Sequence, residues 1–535
     1  MKESAMSREA MIDKIREIEE KRKRYRQGGT IDKVEKQHSR AKLTARERVE
    51  KLFDPGTFQE LELWARPLGS GYPTDEKLNP GDAVAIGFGK VDGRTVLAYA
   101  HDFTVLVGSQ GPIQHSKVTK VMDTAVKMCI PFVGIVDSAG IRLSIEALMG
   151  ALGVTDGMGT HGAGSFMYSP PWASGVVPQI SVMLGAQFAG SSYSPIMADF
   201  LIMRRSPFVH LALMSPDTIR EVTGAEVTYD EIGGAHIHSE ISGTCDMVVD
   251  TDEEALEKCR KLLSYLPSNW REKPPIIDTG DDPNRRDEEL LDIVPIDVEE
   301  GYDMHQLISR LVDNGDFFEL KPIYAKNAIV GFARLGGRAV GIVANNPMVM
   351  NGAIDLNSSD KMARFIRSCD AFNVPLIFLV DTVGYLPDPE QEQLGIERHA
   401  AKVMYATCEA TVPKITIYIR KCSGLGELAM CTTQMGGDLV LAWPNAQVGR
   451  MDPETTVNII YAKEIAEADN PEEVRQERLE QFIDRYNNIY YAGERLLFQD
   501  IIDPRDTRPI LINALGWFEN KCEDKPWKKH GNIPL

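Results

Sequence analysis

Two stretches of the chain run from an apolar segment into an aspartate and a small-residue turn. One is Val136-Asp-Ser-Ala-Gly-Ile-Arg142 and the other is Val380-Asp-Thr-Val-Gly-Tyr385. Backbone amides at such a turn, or at a helix N-terminus, point outward without partners and can stabilise negative charge on an oxygen. Each stretch is followed, after a further strand, by a second glycine-bearing turn: Gly185-Ala-Gln-Phe-Ala-Gly-Ser-Ser-Tyr193 in the first case and Arg420-Lys-Cys-Ser-Gly-Leu-Gly-Glu427 in the second. Amides converging from two turns make an oxyanion hole. The spacing therefore points to chemistry carried by backbone donors rather than by a side-chain nucleophile. No Gly-x-Ser-x-Gly elbow, His-Glu-x-x-His helix or Walker A loop competes with that reading.

The elements that must hold these turns are written twice. Lys117, Pro131, Asp137 and Gly140 recur 244 positions on as Lys361, Pro375, Asp381 and Gly384. Downstream, Val177-Pro-Gln-Ile-Ser181 returns as Val412-Pro-Lys-Ile-Thr416, and Met214-Ser-Pro-Asp-Thr218 as Met451-Asp-Pro-Glu-Thr455. The pattern predicts one α/β domain in two tandem copies. Strands over 83–88 and 95–99 turn at Asp92-Gly93, and strands over 328–332 and 339–343 turn around Gly336-Gly337. Helices over 116–127 and 359–371 then lead into the buried strands. Before the first copy, a charged helix covers 7–27, and Thr44-Ala-Arg-Glu47 reads as a capping box opening another. Proline-rich sequence from Pro267 to Asp287 divides the chain into domains 1–272 and 288–535 with a linker over 273–287. A glycine-rich loop, Gly153 to Ser165, follows the first turn.

Composition narrows the function. At 535 residues the chain exceeds one ordinary core, and 43% hydrophobic with 26% charged residues is ordinary for a soluble protein. The absence of an 18-residue apolar run or an apolar N-terminal region leads to the expectation of a cytoplasmic protein without membrane insertion. Eight cysteines without a Cys-x-x-Cys pair fit a reducing compartment and argue against structural zinc. A net charge of −19 argues against nucleic acid, and the basic run Lys21–Arg26 sits beside Glu17, Glu19 and Glu20 as a solvated or subunit-contacting helix face. His236 and His238 alternate as on one strand face but lack a third ligand, so no metal is expected. Lys127 stands in a Val-Lys-Met tripeptide resembling a biotin acceptor, yet its expected setting is a buried helix end rather than an exposed hairpin.

Taken together, Leu43-Thr-Ala-Arg-Glu-Arg48, Asp102-Phe-Thr-Val105, Asp137-Ser-Ala-Gly-Ile-Arg142, Gly175-Val-Val-Pro-Gln179, Ser359-Asp-Lys-Met-Ala-Arg-Phe365, Ala442-Trp-Pro-Asn-Ala446 and the terminal Lys529-His-Gly-Asn-Ile-Pro-Leu535 resemble the carboxyltransferase (β) subunit of biotin-dependent acyl-CoA carboxylases, of the propionyl-CoA carboxylase type. The resemblance implies two crotonase-like domains of the ClpP/crotonase superfamily. It implies transfer of CO2 from carboxybiotin on a separate carrier protein to the α-carbon of an acyl-CoA, through enolates. On that basis Gly140 or Ile141 with Ala189 or Gly190 would hold the thioester oxygen, and Gly384 or Tyr385 with Leu425 or Gly426 the biotin ureido oxygen. Ser191, Glu427 and Leu428 would lie at the substrate pocket. Expected partners are biotin carboxylase, a biotin carrier and further copies of the chain in a hexameric trimer of dimers. The family pattern carries Lys-Ala-Tyr-Gly-Gly-Ala-Tyr-Asp where this chain has Lys421-Cys-Ser-Gly-Leu-Gly-Glu-Leu428, which bears on the acyl group accepted. Two other readings share these residues: the α-subunit of a biotin-dependent malonyl-type or glutaconyl-type CoA decarboxylase, and a non-catalytic scaffold, which a carboxylate at Glu427 beside the second turn would suit.

Overall fold

A computed structural model of the chain describes residues 2–67, 80–142, 165–298, 300–449, 451, 453–486 and 488–534. The glycine-rich stretch 153–164 lies outside the described residues. The chain divides into two compact units, Met1–Ser264 with Ser268–Arg271, and Tyr265–Pro267 with Glu272–Leu535.

In unit 1 the helices α1 (Lys2–Arg26), α2 (Ile31–Ser39) and α3 (Ala45–Leu52) precede the sheet. Thr44 caps α3 in a capping box with Glu47, as its sequence predicts. Seven strands follow in sequential order across the sheet: β1 (Gln59–Leu61), β2 (Val84–Val91), β3 (Arg94–His101), β4 (Phe132–Val136), β5 (Gln179–Met183), β6 (Phe200–Arg204) and β7 (Met247–Val249). The first three pair antiparallel and the rest parallel. Helix α4 (Pro112–Met128) crosses from β3 to β4, α5 (Ser165–Ala173) precedes β5, and α6 (Asp252–Tyr265) closes the unit. β4 is buried along its whole length, which is why it reads as an unbroken apolar run, and β5 is equally buried although it carries Gln179 and Ser181.

Unit 2 repeats the plan. Helix α7 (Met304–Leu311) precedes β8 (Phe318–Leu320), β9 (Ala328–Leu335) and β10 (Arg338–Asn345). Helix α8 (Leu356–Ala371) leads to β11 (Leu376–Thr382), and α9 (Ile396–Glu409) to β12 (Lys414–Ser423). The short helix α10 (Gly424–Ala429) starts directly from β12. The strands β13 (Leu439–Ala442), β14 (Gln447–Gly449) and β15 (Asp500–Ile501) and helix α11 (Thr507–Trp517) complete the unit. The sheet order is β8 to β13 and then β15, with β14 pairing the end of β12.

Even the struts repeat. Asp54 accepts the amides of the β2–β3 turn, Asp92 and Gly93, and is paired with Arg260 of α6 at 2.9 Å. Asp313 accepts the amides of Gly336 and Gly337 in the β9–β10 turn and is paired with Arg508 of α11 at 2.7 Å. Each arginine also donates to the end of the helix just before the unit's sheet, α3 or α7, at Leu52 O (2.7 Å) and Leu311 O (2.8 Å). The duplication thus reaches further towards the N-terminus than the 244-residue repeat: Arg46, Asp54 and Glu60 recur 259 positions on as His305, Asp313 and Glu319.

Candidate active site

The first pair of turns is built at the ends of β4 and β5. Past Val136 the chain buries Asp137 and Ser138 and then swings through Gly140 at φ 93°, a left-handed angle that favours glycine. Gln110 N donates to Gly140 O (2.9 Å) and Arg142 N to Gln110 O (2.8 Å). The Ile141 amide between them makes no hydrogen bond among the described residues. Opposite, Ala189 also takes a left-handed φ of 54°. Ser191 Oγ donates to Phe188 O (2.5 Å) and Ser192 Oγ to Ala189 O (2.7 Å), which tightens the turn, and the Ala189 and Gly190 amides make no hydrogen bond among the described residues. The two turns are neighbours: a side-chain carbon built on Gly140 would stand 3.8 Å from Phe188 O.

The second pair repeats this at the ends of β11 and β12. Gly384 has φ 117°, Ile354 N donates to Gly384 O (2.9 Å) and Leu386 N to Ile354 O (2.8 Å), so Tyr385 has the place of Ile141. The opposing amides, Leu425 and Gly426, belong to the first turn of α10, where amides lack intrahelical acceptors. Here the turns touch. A carbon added to Gly426 would fall 2.8 Å from Gly384 Cα and 3.1 Å from its carbonyl carbon.

Asp137 joins the halves of the first site. Its carboxylate takes Lys42 Nζ (2.7 Å), Arg48 (2.8 Å) and Gln37 Nε2 (3.2 Å), and it lies so close to Gly185 that a Cβ there would sit 1.8 Å from Oδ1. Arg48 in turn pairs with Asp252 (2.8 Å), which also holds Arg204 (2.7 Å). Burial opposes ionisation of Asp137, but Arg48 and Lys42 outweigh it and hold the carboxyl below the usual carboxylate range. The Asp137 amide meets His101 Nδ1 at 3.4 Å, and burial drives that imidazole down to about 4, so it is neutral. Asp381 receives Arg420 Nε (3.1 Å) and the Lys421 amide (3.1 Å), while its own amide donates to Asn345 (3.2 Å). There burial prevails over Arg420 and pushes the carboxyl above its ordinary range.

A family model described as the carboxyl transferase domain matches residues 36–533, nearly the whole chain. The chain belongs to the carboxyl transferase family. It is 44% identical to the propionyl-CoA carboxylase carboxyltransferase subunit of Haloferax mediterranei, over 98% of this chain and 100% of that one. It is 42% identical to the methylmalonyl-CoA decarboxylase subunit alpha of Veillonella parvula, over 98% and 99%. The crystal structure of the transcarboxylase 12S hexamer with methylmalonyl-CoA and methylmalonic acid bound superposes with a TM-score of 0.92 at 42% identity, covering 97% of this chain and 98% of that one. The two α/β units are crotonase-like domains, as the sequence resemblance implies.

Several side chains of this carboxyl transferase stand elsewhere than their spacing suggests. Lys127 is exposed at the last turn of α4, not buried as expected, although it is on a helix rather than a hairpin. His236 and His238 lie within helical backbone, at the entry to and inside the turn Ile237–Ile241, rather than sharing a strand face; the Thr228–Glu231 capping box that opens this helical region was the readable signal. His238 Nε2 lies 2.7 Å from Leu211 O. No group of three His, Cys, Asp or Glu suited to a metal occurs among the described residues, and none of their helices is long and apolar enough to cross a membrane. Ser191 is wholly buried, Leu428 is half-buried, and Glu427 is buried with its carboxylate 3.0 Å from the Tyr418 hydroxyl.

The repeated lysines are an unforeseen device. Lys117 Nζ donates to Gly81 O (2.7 Å) and Val84 O (2.6 Å), where the chain enters β2. Lys361 Nζ donates to Lys321 O, Tyr324 O and Ala328 O (2.9, 2.9 and 2.7 Å), where it enters β9. Each ammonium ties together backbone carbonyls at the entry to a strand, so both lysines are structural. In unit 1 the same loop carries Asp82, which binds Arg142 at 2.7 Å and so braces the residue after Ile141; Leu386 has that place in unit 2.

Proposed function

We propose that this chain is the carboxyltransferase subunit of a biotin-dependent acyl-CoA carboxylating system. The observation that carries the reading is the pair of matched turn sets, each offering two backbone amides to one oxygen. In unit 1 the amide of Ile141, that of Gly140 being given to Ser138 Oγ (3.0 Å), and the amide of Ala189 or Gly190 hold the thioester oxygen as it gains charge. In unit 2 the amide of Tyr385, that of Gly384 being given to Thr382 Oγ1 (3.1 Å), and the amide of Leu425 or Gly426 hold the ureido oxygen of biotin, and the missing side chain of Gly426 lets the two turns approach each other closely. Biotin, when bound, supplies the carboxyl group and, once relieved of it, the base. No side-chain base is needed, which agrees with turns whose titratable neighbours, Asp137 and Asp381, are spent on structure. Losing one such amide is worth roughly a hundredfold or more in rate.

Biotin arrives on a carrier protein loaded by a biotin carboxylase, the reaction is cytoplasmic, and the chain assembles as a hexamer, in keeping with the hexamer described for transcarboxylase 12S. Leu428, standing where the family pattern has aspartate, makes the acyl pocket more apolar. The 42% identity to a methylmalonyl-CoA decarboxylase subunit alpha favours one second reading, the same chemistry run as decarboxylation.

The test incubates purified protein with free biotin and a panel of acyl-CoA and malonyl-type thioesters and measures carboxyl transfer between them. Transfer from a malonyl-type thioester to biotin is expected. Thioester binding without transfer to biotin or to any candidate carrier would remove the reading. Copurification with a membrane decarboxylase subunit, rather than an ATP-dependent biotin carboxylase, would select the second direction. An avidin blot should find no biotin on the chain itself.

A further inference from the structure

Helix α5 lies against the first pair of turns. Its inner face is fixed: Ser169 Oγ donates to Asp123 (2.9 Å), Gln179 Nε2 donates to Pro170 O (3.1 Å), and Ala173 is fully buried. Pro170 and Pro171 restrict its backbone further. From this anchored helix Met167 reaches the second turn, and its terminal methyl, Cε, stands 3.0 Å from where a Cβ on Gly190 would be. Apart from the neighbouring residues of the turn, it is the one atom within 4 Å of that point among the described residues. On the other face, Tyr168 and Trp172 pair at 5.9 Å between centroids and remain largely exposed.

The proposed function puts the thioester oxygen on the amide of Ala189 or Gly190, and the role of Met167 rests on that assignment. An acyl chain whose carbonyl is held there must pass beside the Cα of Gly190, and the group already beside that Cα is the Met167 thioether. We infer that Met167 is a specificity-determining residue, the apolar wall against which the acyl chain packs. The wall is apolar, so the acyl chain it receives is apolar too. Methionine is unbranched and turns about three bonds, so this wall yields to chains of different length instead of rejecting them sharply. The anchored helix fixes the base of the wall while the side chain adapts.

The experiment measures, by calorimetry, the affinities of the full-length protein for propionyl-CoA and hexanoyl-CoA, and in parallel kcat/KM for carboxyl transfer with each. Met167→Val and Met167→Ala are compared with wild type, with thermal melts to establish folding. Shortening the wall should move the hexanoyl-to-propionyl ratio towards the longer chain, by about tenfold or more for Ala and by an intermediate factor for Val. A purely structural role for Met167 would weaken both thioesters alike and leave the ratio in place. A ratio within twofold of wild type in folded Met167→Ala protein overturns the inference. Should wild type bind thioesters but transfer no carboxyl group, the transferase reading fails on its own while the affinity ratio still decides the role of Met167.

Discussion

Asp137 and Asp381 end equivalent buried strands, one residue before the turns that carry the chemistry, yet their surroundings differ in kind. Asp137 faces two cations, Lys42 and Arg48, which come from the segment preceding the sheet, and Arg48 passes the connection on to Asp252 and Arg204. Asp381 is in direct contact with one cation among the described residues, Arg420, and that guanidinium also donates to Asp297 O (2.9 Å) and Glu300 O (2.8 Å). Unit 1 holds its turn through a chain of alternating full charges. Unit 2 holds its turn through backbone carbonyls and amides, with a carboxyl nearer to neutrality. The duplication kept the position of the aspartate and left each copy to find its own way of satisfying it. Removing the carboxylate should therefore cost the two units unequally.

The largest expected effect is on stability. Asp137→Asn leaves Lys42 and Arg48 buried with one carboxylate fewer, and breaking such an arrangement costs about 3–5 kcal/mol. Asp381→Asn keeps an acceptor for the Lys421 amide and leaves Arg420 its carbonyls, a loss on the scale of one charge-assisted hydrogen bond, about 2 kcal/mol. For domains of this size the melting midpoint should fall by roughly 10 °C in the first variant and by about 5 °C in the second. Calorimetric melts of both variants measure this, and equal losses would break the comparison.

Next comes turnover. A methyl group on Gly426 would be forced into the backbone of Gly384, whereas one on Gly190 meets only the mobile end of Met167. Gly426→Ala should lower turnover about a hundredfold or more, since it pushes apart the two halves of a donor pair. Gly190→Ala should lose less than about tenfold, though its chain-length preference should change. Proline at Gly190 removes the amide itself and brings the loss in unit 1 up to the same hundredfold scale. The Gly190→Pro protein should still bind biotin-carrier protein while handling acyl-CoA poorly, and Gly426→Pro should do the reverse. Circular dichroism must show native folding in each. Full transfer by folded Gly426→Pro protein would mean that unit 2 does not hold the biotin oxygen.

What the sequence disclosed divides in the same way between local and distant causes. The 244-residue repeat, the hairpins and the Thr44 cap were legible because each is written in neighbouring residues: apolar alternation, paired turn glycines, a threonine three residues before a glutamate. The glycine turns were legible as turns. The partners of Asp137 were not, since Lys42 and Arg48 lie some 90 positions away and nothing local marks a lysine or arginine that folds inward. Lys117 and Lys361 aligned without revealing why, because their acceptors are backbone carbonyls, which leave no trace in residue type. The 259-residue register over 44–61 and 303–320 was hidden by the differences within it, arginine standing at 46 and histidine at 305. His236 and His238 misled because a two-residue spacing fits a strand face as well as a helical turn.

A smaller contrast concerns the second turn of each site. Unit 1 tightens it locally, with Ser191 and Ser192 reaching back three residues. Unit 2 ties α10 to β12 through a buried long side-chain pair, the Tyr418 hydroxyl on Glu427 at 3.0 Å. A hydrogen bond to an ionisable partner is worth about 1.5 kcal/mol, near tenfold. Tyr418→Phe should lower kcat by about that factor with the KM for acyl-CoA unchanged, and Glu427→Gln, which preserves an acceptor, should lose much less. Ser192→Ala, removing one of two local bonds, should cost about threefold. Loss of acyl-CoA affinity in Tyr418→Phe would assign the pair to the wrong substrate.

The smallest effect tests the Arg46–His305 difference in the 259-residue register. Arg46 bonds Glu60 at 2.8 Å in unit 1, and His305 bonds Glu319 at 3.0 Å and Asp303 at 2.7 Å in unit 2. The arginine keeps its charge throughout the accessible range; the histidine does not. Glu319, against a cost of burial and with help from Asp303, raises the His305 pKa from 6.5 to about 9. A base with a folded-state value above its unfolded one stabilises the fold fully below pH 6.5, and that contribution fades as pH rises through 9. The His305 side chain is 38% exposed, so solvent screening reduces the contribution to about 1 kcal/mol or less. Melts of wild type between pH 6 and 9.5 should therefore lose up to about 2–4 °C from the unit 2 transition. His305→Arg, which copies the unit 1 residue into unit 2, should flatten that slope while leaving the midpoint at pH 6 nearly unmoved. An undiminished slope in the His305→Arg protein would place the titrating group elsewhere and leave the arginine-to-histidine divergence without consequence for stability.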